Sequence, residues 1–254
     1  MELIVIGAGP AYTDRRGAAA ASYLVRENGA ALLLDLGQGS FPNLASTLQP
    51  SSLAAVIVSH LHPDHFIDLV SLRHYLRFEF EPSRRVAVLG PAGLEDRLDS
   101  VNGSPGFAAA SLDIAPLSEG VRQIGPFVVE SRLVAHTDDS YAFRVSLAGS
   151  AGAGSPAPGL VYSGDCSRAD DLVPLIHPGD TLLSEASFAT GPVPPGAEHI
   201  TAADAGRAAT AGGAARLLLT HILAGFSRAG ALAAAESTFA GPVQLVTEGD
   251  RFEV

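Results

Sequence analysis

Four side chains that commonly bind metal ions lie within six consecutive residues of the segment HLHPDH, residues 60–65. They are His60, His62, Asp64 and His65. Crowded into one turn, these neutral or anionic groups would repel one another or lack partners unless cations bound them. Residues two apart can converge on one ion while Asp64 and His65 point to a second. Two ions about 3.5–4 Å apart can clamp a phosphoryl group, so the motif predicts a binuclear metal site.

Three further candidates follow apolar segments later in the chain. His136 ends LVAH, Asp165 ends VYSGD and His221 ends LLLTH. Each segment has the composition of a strand, and a β-rich scaffold can present residues at its strand ends to one shared cleft. Taken singly, such a histidine is more often an ordinary core or surface residue, and Asp165 after a glycine could start a turn. Their occurrence after the 60–65 motif favours metal binding.

The types of residue present restrict which ions the site can hold. The only cysteine is Cys166, so the chain has neither an internal disulfide nor a cysteine-based structural zinc site. Any ion must therefore be bound by histidine and aspartate. Two divalent ions are expected, with Zn²⁺ favoured by the histidine-rich set, although similar sites also accept Mn²⁺ or iron.

Composition also limits the classes of partner. The formal net charge of −11 argues against a nucleic-acid-binding surface, because affinity for polyphosphate comes mainly from Lys and Arg. No apolar stretch approaches the roughly 20 residues that span a bilayer. The N-terminal sequence MELIVIGAGP lacks the features of a signal peptide. We therefore expect a cytoplasmic protein that does not bind membranes.

Periodicity predicts the elements that must position these residues. Short β-branched runs give strands at ELIVIG, SYLVREN, ALLLDLG and AAVIVSH, and residues 66–78 have helical spacing, which places the 60–65 motif in a strand-to-helix loop. The second half again opens with strands and closes with helices. This plan predicts one α/β domain over residues 1–254, with two mixed sheets packed face to face and helices on the outer faces. The Gly-, Ser- and Pro-rich residues 148–159 are predicted to form a mobile hairpin tip.

With these residues placed, the chain resembles the metallo-β-lactamase superfamily over nearly its whole length, through HLHPDH, His136, SGD and LTH. The resemblance implies an αββα sandwich. It also implies that one ion takes His60, His62 and His136, that the other takes Asp64, His65 and His221, and that Asp165 bridges the two. True β-lactamases of the superfamily usually carry cysteine at the bridging position, so antibiotic hydrolysis is not expected.

Within the superfamily, SEASF followed by EHITAADAG resembles the ribonuclease Z and cyclic-nucleotide phosphodiesterase branch. Together with RLVAHTDDSYAFRV, LVYSGD and LLLTHI, these segments most resemble atypical class II cyclic-nucleotide phosphodiesterases of actinobacterial type. The resemblance implies that Glu185 and His199 assist proton transfer and that Asp64 orients the attacking hydroxide as well as binding metal. The competing interpretation has Glu185 as a turn residue and His199 as a helix cap.

These features predict hydrolysis of a small phosphodiester, most simply a cyclic nucleotide such as cyclic AMP, by a hydroxide held between the two ions. A ribonuclease Z-like tRNA 3′ processing nuclease is an alternative. Long-armed members insert a basic arm between the motifs of His136 and Asp165, where this chain has only the 148–159 tip, without a basic residue in it. A glyoxalase II- or lactonase-type hydrolase and a non-enzymatic metalloprotein remain open, and a homodimer is expected only by analogy.

Overall fold

The computed structural model describes residues 1–137, 139–149 and 157–254. Most of the predicted hairpin tip, residues 150–156, lies outside the described residues. The strands on either side of it end at Leu147 and begin at Leu160.

The first sheet is built mainly from the N-terminal half of the chain. Its strands are β1 (Glu2–Gly7), β2 (Ser22–Glu27), β3 (Ala30–Leu34), β4 (Ala55–Ile57), β5 (Val86–Gly90), β6 (Leu112–Pro116) and the C-terminal β14 (Arg251–Glu253). Among the described residues the order is β14-β1-β2-β3-β4-β5-β6. Strands β14 to β3 pair antiparallel and β3 to β6 pair parallel. Because β3, β4 and β5 are parallel, their carboxyl ends meet at one edge.

The second sheet repeats this plan. Its strands are β7 (Gly120–Ile124), β8 (Phe127–Val134), β9 (Ser140–Leu147), β10 (Leu160–Tyr162), β11 (Thr181–Glu185), β12 (Arg216–Thr220) and β13 (Val243–Leu245). The described strands follow the order β13-β12-β11-β10-β9-β8-β7. Strands β7 to β10 pair antiparallel and β10 to β13 pair parallel. Strands β8, β10, β11 and β12 therefore end at the same edge of this sheet.

Three apolar layers hold the sheets and helices together. The inner faces of both sheets share one cluster, in which the rings of Tyr23 and Tyr162 lie 4.9 Å apart. A second cluster joins the first sheet to its outer helices and a third joins the second sheet to its own. The helices are α1 (Phe41–Thr47), α2 (Pro63–Phe66), α3 (Leu69–Phe78), α4 (Leu94–Asn102), α5 (Ala202–Gly212) and α6 (Arg228–Glu236). The arrangement confirms two mixed sheets flanked by helices.

One detail of the first half differs from the prediction. The single helix expected over residues 66–78 is two helices, α2 and α3, interrupted at Ile67 and Asp68. The backbone N–H of Asp68 donates to the carbonyl of Leu36, and its carboxylate accepts from the N–H of Phe41. These bonds tie the interruption to the segment after β3. No helix in the described part of the chain combines the length and hydrophobicity needed to cross a lipid bilayer.

Candidate metal centre

The seven predicted ligands converge where the carboxyl ends of strands from both sheets face each other. His60 follows β4, and His62, Asp64 and His65 lie in the loop and short helix α2 that come next. From the second sheet, the remaining three follow different strands: His136 after β8, Asp165 after β10 and His221 after β12. Together they form two groups able to hold metal ions, which share Asp165.

The first group contains His60, His62, His136 and Asp165, whose candidate ligand atoms all lie within 4.8 Å of one another. Nδ1 of His62 is 3.2 Å from Nε2 of His136. Nε2 of His60 is 3.7 Å from Oδ2 of Asp165. Because Nδ1 of His136 donates to the carbonyl of Glu198, its Nε2 carries a lone pair that can bind a cation.

The second group contains Asp64, His65, Asp165 and His221, again with ligand atoms within 4.8 Å of one another. Oδ2 of Asp165 is 3.3 Å from Nε2 of His65 and 3.7 Å from Nε2 of His221. Nε2 of His221 is 3.2 Å from Oδ2 of Asp64. All four residues are buried, so solvent offers little competition for a bound ion.

Buried polar atoms without partners provide a test of whether cations fit. Five buried side-chain polar atoms of the described residues make no hydrogen bond, and three of them are Nε2 of His60, Nε2 of His65 and Oδ1 of Asp165. An unsatisfied buried polar atom costs about 1–3 kcal/mol, and more when charged. All three atoms belong to the two groups and are lone-pair donors to metals. The donor set therefore fits divalent cations.

Metal binding needs neutral imidazoles and ionised carboxylates, and the pKa values of His60 and Asp165 are shifted in that direction. Burial lowers the pKa of His60 well below its usual value, helped by the neighbouring His65, so His60 is in the neutral form that binds metal. Burial raises the pKa of Asp165, but the imidazoles of His221 and His65 outweigh it and hold that pKa well below its usual range. The Asp165 carboxylate is therefore ionised.

The outer nitrogen of four histidines is held by a neighbouring group. When Nδ1 is hydrogen-bonded to a neighbouring group, Nε2 is free to face the metal site. Metal-binding imidazoles are normally oriented in this way. The contacts from Nδ1 are His60 to Ser59 Oγ at 3.1 Å, His65 to Asp35 Oδ2 at 2.7 Å, His136 to the Glu198 carbonyl at 2.7 Å and His221 to Ser187 Oγ at 3.0 Å.

Asp35, which directly follows β3, holds the segment that begins the 60–65 loop. Its fully buried carboxylate accepts from the N–H of Ser59 at 2.6 Å, the hydroxyl of Ser59 at 2.7 Å and the hydroxyl of Tyr162 at 2.7 Å. Asp35 and His221 have φ values of 59° and 58°, in the left-handed region that costs energy for residues with a Cβ. Of the four described non-glycine residues with positive φ, these two lie at the site.

Glu185, at the end of β11, pairs with His199, which precedes α5. Oε1 of Glu185 is 3.0 Å from Nδ1 of His199, and that nitrogen is 3.8 Å from Oδ2 of Asp165. Burial lowers the pKa of His199, but the hydrogen bond and charge of Glu185 outweigh it and raise the pKa from 6.5 to about 9. His199 does not cap α5, because that role belongs to Thr201.

Sequence reasoning missed several polar residues that support the site. Ser187 and Tyr162 contact Glu185 and Asp35 respectively, and both are fully or nearly fully buried. The only signal for Ser187 was its place in SEASF, two residues after Glu185. Nothing in the sequence distinguishes Tyr162 from an ordinary strand residue.

Two clefts open beside the metal-binding groups. One, of about 840 Å³, includes Leu61 and Thr137, the chain neighbours of His60, His62 and His136. The other, of about 480 Å³, contains His199 together with Arg168 and Arg207. Among the described residues, neither helix α3 nor β6 lines either cleft.

Known proteins are similar to this chain in sequence over most of its length. A family model described as a beta-lactamase superfamily domain matches residues 33–222. The uncharacterized protein ML1173 of Mycobacterium leprae (strain TN) is 33% identical over 242 residues, covering 92% of this chain and 82% of that protein. Ribonuclease Z of Salinispora arenicola (strain CNS-205) is 28% identical over 265 residues, covering 87% and 85%.

A solved structure agrees over the whole length. The crystal structure of the metallo-beta-lactamase fold protein YhfI from Bacillus subtilis matches with a TM-score of 0.87 at 24% sequence identity, covering 100% of this chain and 99% of that chain. The family match includes the 60–65 motif, His136, Asp165 and His221. This chain belongs to the metallo-β-lactamase superfamily.

Proposed function

We propose that this protein is a metal-dependent hydrolase that cleaves small phosphodiesters, with cyclic nucleotides such as cyclic AMP as the first candidates. Membership of the superfamily and the two groups able to bind metal ions support the hydrolase assignment. A relative from Bacillus subtilis (strain 168), 26% identical over 207 residues, is named as the probable metallo-hydrolase YhfI. The phosphodiester specificity rests on the arguments that follow.

The proposed ligand assignment follows the two groups of side chains. His60, His62 and His136 would hold one ion; Asp64, His65 and His221 would hold the other, and Asp165 would contact both. Histidine nitrogens and carboxylate oxygens suit zinc, which we propose as the native metal. Bound there, the ions would supply Lewis acidity to the phosphoryl group and lower the pKa of water towards about 7.

The observation that carries the phosphodiester assignment is the Glu185–His199 pair beside the shared Asp165. Breaking a P–O bond to a ribose requires a proton for the departing alkoxide. His199 donates its Nδ1–H to Glu185, which leaves Nε2 as the atom that would deliver that proton. Glu185 favours the protonated form of the His199 imidazole, so His199 carries a proton that it can give to the leaving group. Asp64 would orient the attacking water with its carboxylate.

The dimensions and charge of the surroundings favour a small substrate. The two clefts, of about 840 and 480 Å³, lie in the size range of small-molecule sites. The larger cleft is lined by Asp96 and Asp139 but by a single arginine, Arg97. With a chain charge of −11, this surface would repel an extended polyanion, whereas one phosphodiester could be neutralised by the ions alone.

The second candidate is a ribonuclease Z-like nuclease acting on the 3′ ends of tRNA. Its support is the 28% identity to the ribonuclease Z of Salinispora arenicola, which extends over most of both chains. Binding of tRNA would show a steep dependence on salt concentration, because it releases counterions from many phosphates. That dependence separates the two candidates experimentally.

The deciding experiment combines metal analysis with substrate comparison on one preparation. Metal content would be measured first, followed by hydrolysis of cyclic AMP, bis(p-nitrophenyl) phosphate and a tRNA precursor. Two ions per chain with turnover of cyclic AMP supports the phosphodiesterase. Two ions with activity only on the tRNA precursor selects the nuclease. A fully metal-loaded protein that hydrolyses none of the three contradicts both.

A further inference from the structure

Ser187 occupies the junction between the second metal-binding group and the Glu185–His199 pair. Its hydroxyl oxygen lies 2.6 Å from Oε2 of Glu185 and 3.0 Å from Nδ1 of His221. Nδ1 of His199 is 3.3 Å away. The residue is completely buried, so water does not compete for these contacts. The Ser187 hydroxyl thus connects His221, a candidate metal ligand, with Glu185, the partner of the candidate proton donor.

The number of hydrogens available fixes the direction of these bonds. A serine hydroxyl has one hydrogen to donate, and an ionised carboxylate can only accept. The hydroxyl therefore donates to Glu185, and its lone pair accepts the Nδ1–H of His221. With its hydrogen on Nδ1, neutral His221 presents a lone pair at Nε2, the atom that faces Asp64 at 3.2 Å. Ser187 selects the tautomer that can bind an ion.

Both carboxylate oxygens of Glu185 have hydrogen-bond partners at this junction. Oε1 accepts from the N–H of Cys166 at 2.8 Å and faces Nδ1 of His199 at 3.0 Å. Oε2 accepts from both the N–H and the hydroxyl of Ser187. One carboxylate therefore orients His199 directly and orients His221 through the serine.

We propose that Ser187 is a positioning residue for the second metal ion, acting through His221, and that Glu185 couples this ion to the proton donor. The inference rests on the proposed two-ion hydrolase. It predicts a selective defect: loss of the hydroxyl weakens the ion held by Asp64, His65 and His221 and spares the ion held by the first group. A serine that only fills space would produce no such selectivity.

The test is calorimetric titration of metal-free protein with Zn²⁺, in wild type, Ser187→Ala and the matched control Ser184→Ala. Ser184 is equally buried in β11, but its hydroxyl donates to the backbone carbonyl of Glu185 instead of contacting the site. We expect Ser187→Ala to bind one ion normally and the other about 10–100-fold more weakly, the usual effect of losing a partner of a metal ligand. Ser184→Ala should titrate like wild type.

A second measurement does not depend on affinity. In zinc-loaded protein, ¹⁵N spectra of the histidine side chains should show a protected Nδ1–H on His221 that disappears in Ser187→Ala. If the alanine variant does not fold, Ser187→Cys keeps the volume with a weaker hydrogen-bonding group and should weaken the same ion. Normal binding of both ions by a folded Ser187 variant overturns the inference alone, whereas failure of wild type to bind two ions overturns the proposed function as well.

Discussion

At the scale of single residues, His199 makes the most specific prediction. His199→Ala should keep both ions, because His199 belongs to neither ion's proposed ligand set, yet lose about 10²–10⁴-fold in cyclic AMP turnover through loss of the general acid. Hydrolysis of bis(p-nitrophenyl) phosphate should fall much less, since p-nitrophenolate leaves without protonation. The measurement is kcat on both substrates for protein of known metal content.

The control for this comparison is His74→Ala. His74 lies on α3, where its Nδ1 contacts the carbonyl of Val70, outside both metal-binding groups. This variant should match wild type on both substrates. Equal losses for the two substrates in His199→Ala would contradict a role in leaving-group protonation.

The candidate ligands predict separable losses of metal. His62→Ala removes a ligand of the first group and Asp64→Ala removes one of the second, so each should lose one ion and abolish turnover. Elemental analysis gives the ion count, and far-ultraviolet circular dichroism shows whether the fold survives. Full activity of either variant in metal-loaded protein would rule out the assignment.

At the scale of elements, Asp35 joins three segments: the end of β3, the loop after β4 and β10 through Tyr162. Hydrogen bonds to charged groups contribute about 1.5–3 kcal/mol each. We therefore expect Asp35→Asn to lower the free energy of unfolding of the metal-free protein by about 3 kcal/mol or more, measured with urea. Asp113→Asn, at an exposed ion pair with Arg85, should cost less than about 1 kcal/mol.

Helix α5 starts with a capping box in which Thr201 and Asp204 bond each other's backbone N–H groups. This cap lies two residues after His199, so it fixes where α5 begins relative to the candidate proton donor. Thr201→Ala should cost about 1 kcal/mol of stability, and Thr201→Ser should restore most of it. Thermal unfolding of the two variants is the measurement, and equal melting temperatures would argue against the cap.

The sequence predicted all the strands that precede candidate ligands, and several others, from their apolar runs. Strands such as β1, β8 and β12 were recognisable from buried apolar runs, and the ligands after them came with the motifs. Strand β7, GVRQI, escaped because it is an exposed edge strand without an apolar face. The break between α2 and α3 escaped because it depends on hydrogen bonds to Leu36 and Phe41, which are distant in sequence. Ser187 escaped for the same reason.

At the scale of the whole molecule, the candidate ligands are divided between the two sheets. The residues of the 60–65 motif belong to the first sheet, and His136, Asp165 and His221 follow strands of the second. Bound ions would therefore connect the sheets. Ions that bind only the folded state stabilise it by about 4 kcal/mol at a concentration 1,000-fold above Kd.

This division predicts a response to chelation. Removing the ions with a strong chelator should lower the melting temperature, and adding Zn²⁺ back should restore it. Because His62→Ala already lacks one ion, its melting temperature should fall by a smaller amount under the same treatment. An unchanged melting temperature in wild type would contradict two bound ions.

The distribution of ligands along the chain also constrains how the protein is made. Nε2 of His221 and Oδ2 of Asp64 meet across a separation of 157 residues. During synthesis, the 60–65 segment leaves the ribosome long before its last partner exists. Until β12 has emerged, the nascent chain carries an incomplete set of candidate ligands. Contacts this distant also slow folding, so the centre is expected to be among the last parts of the molecule to form.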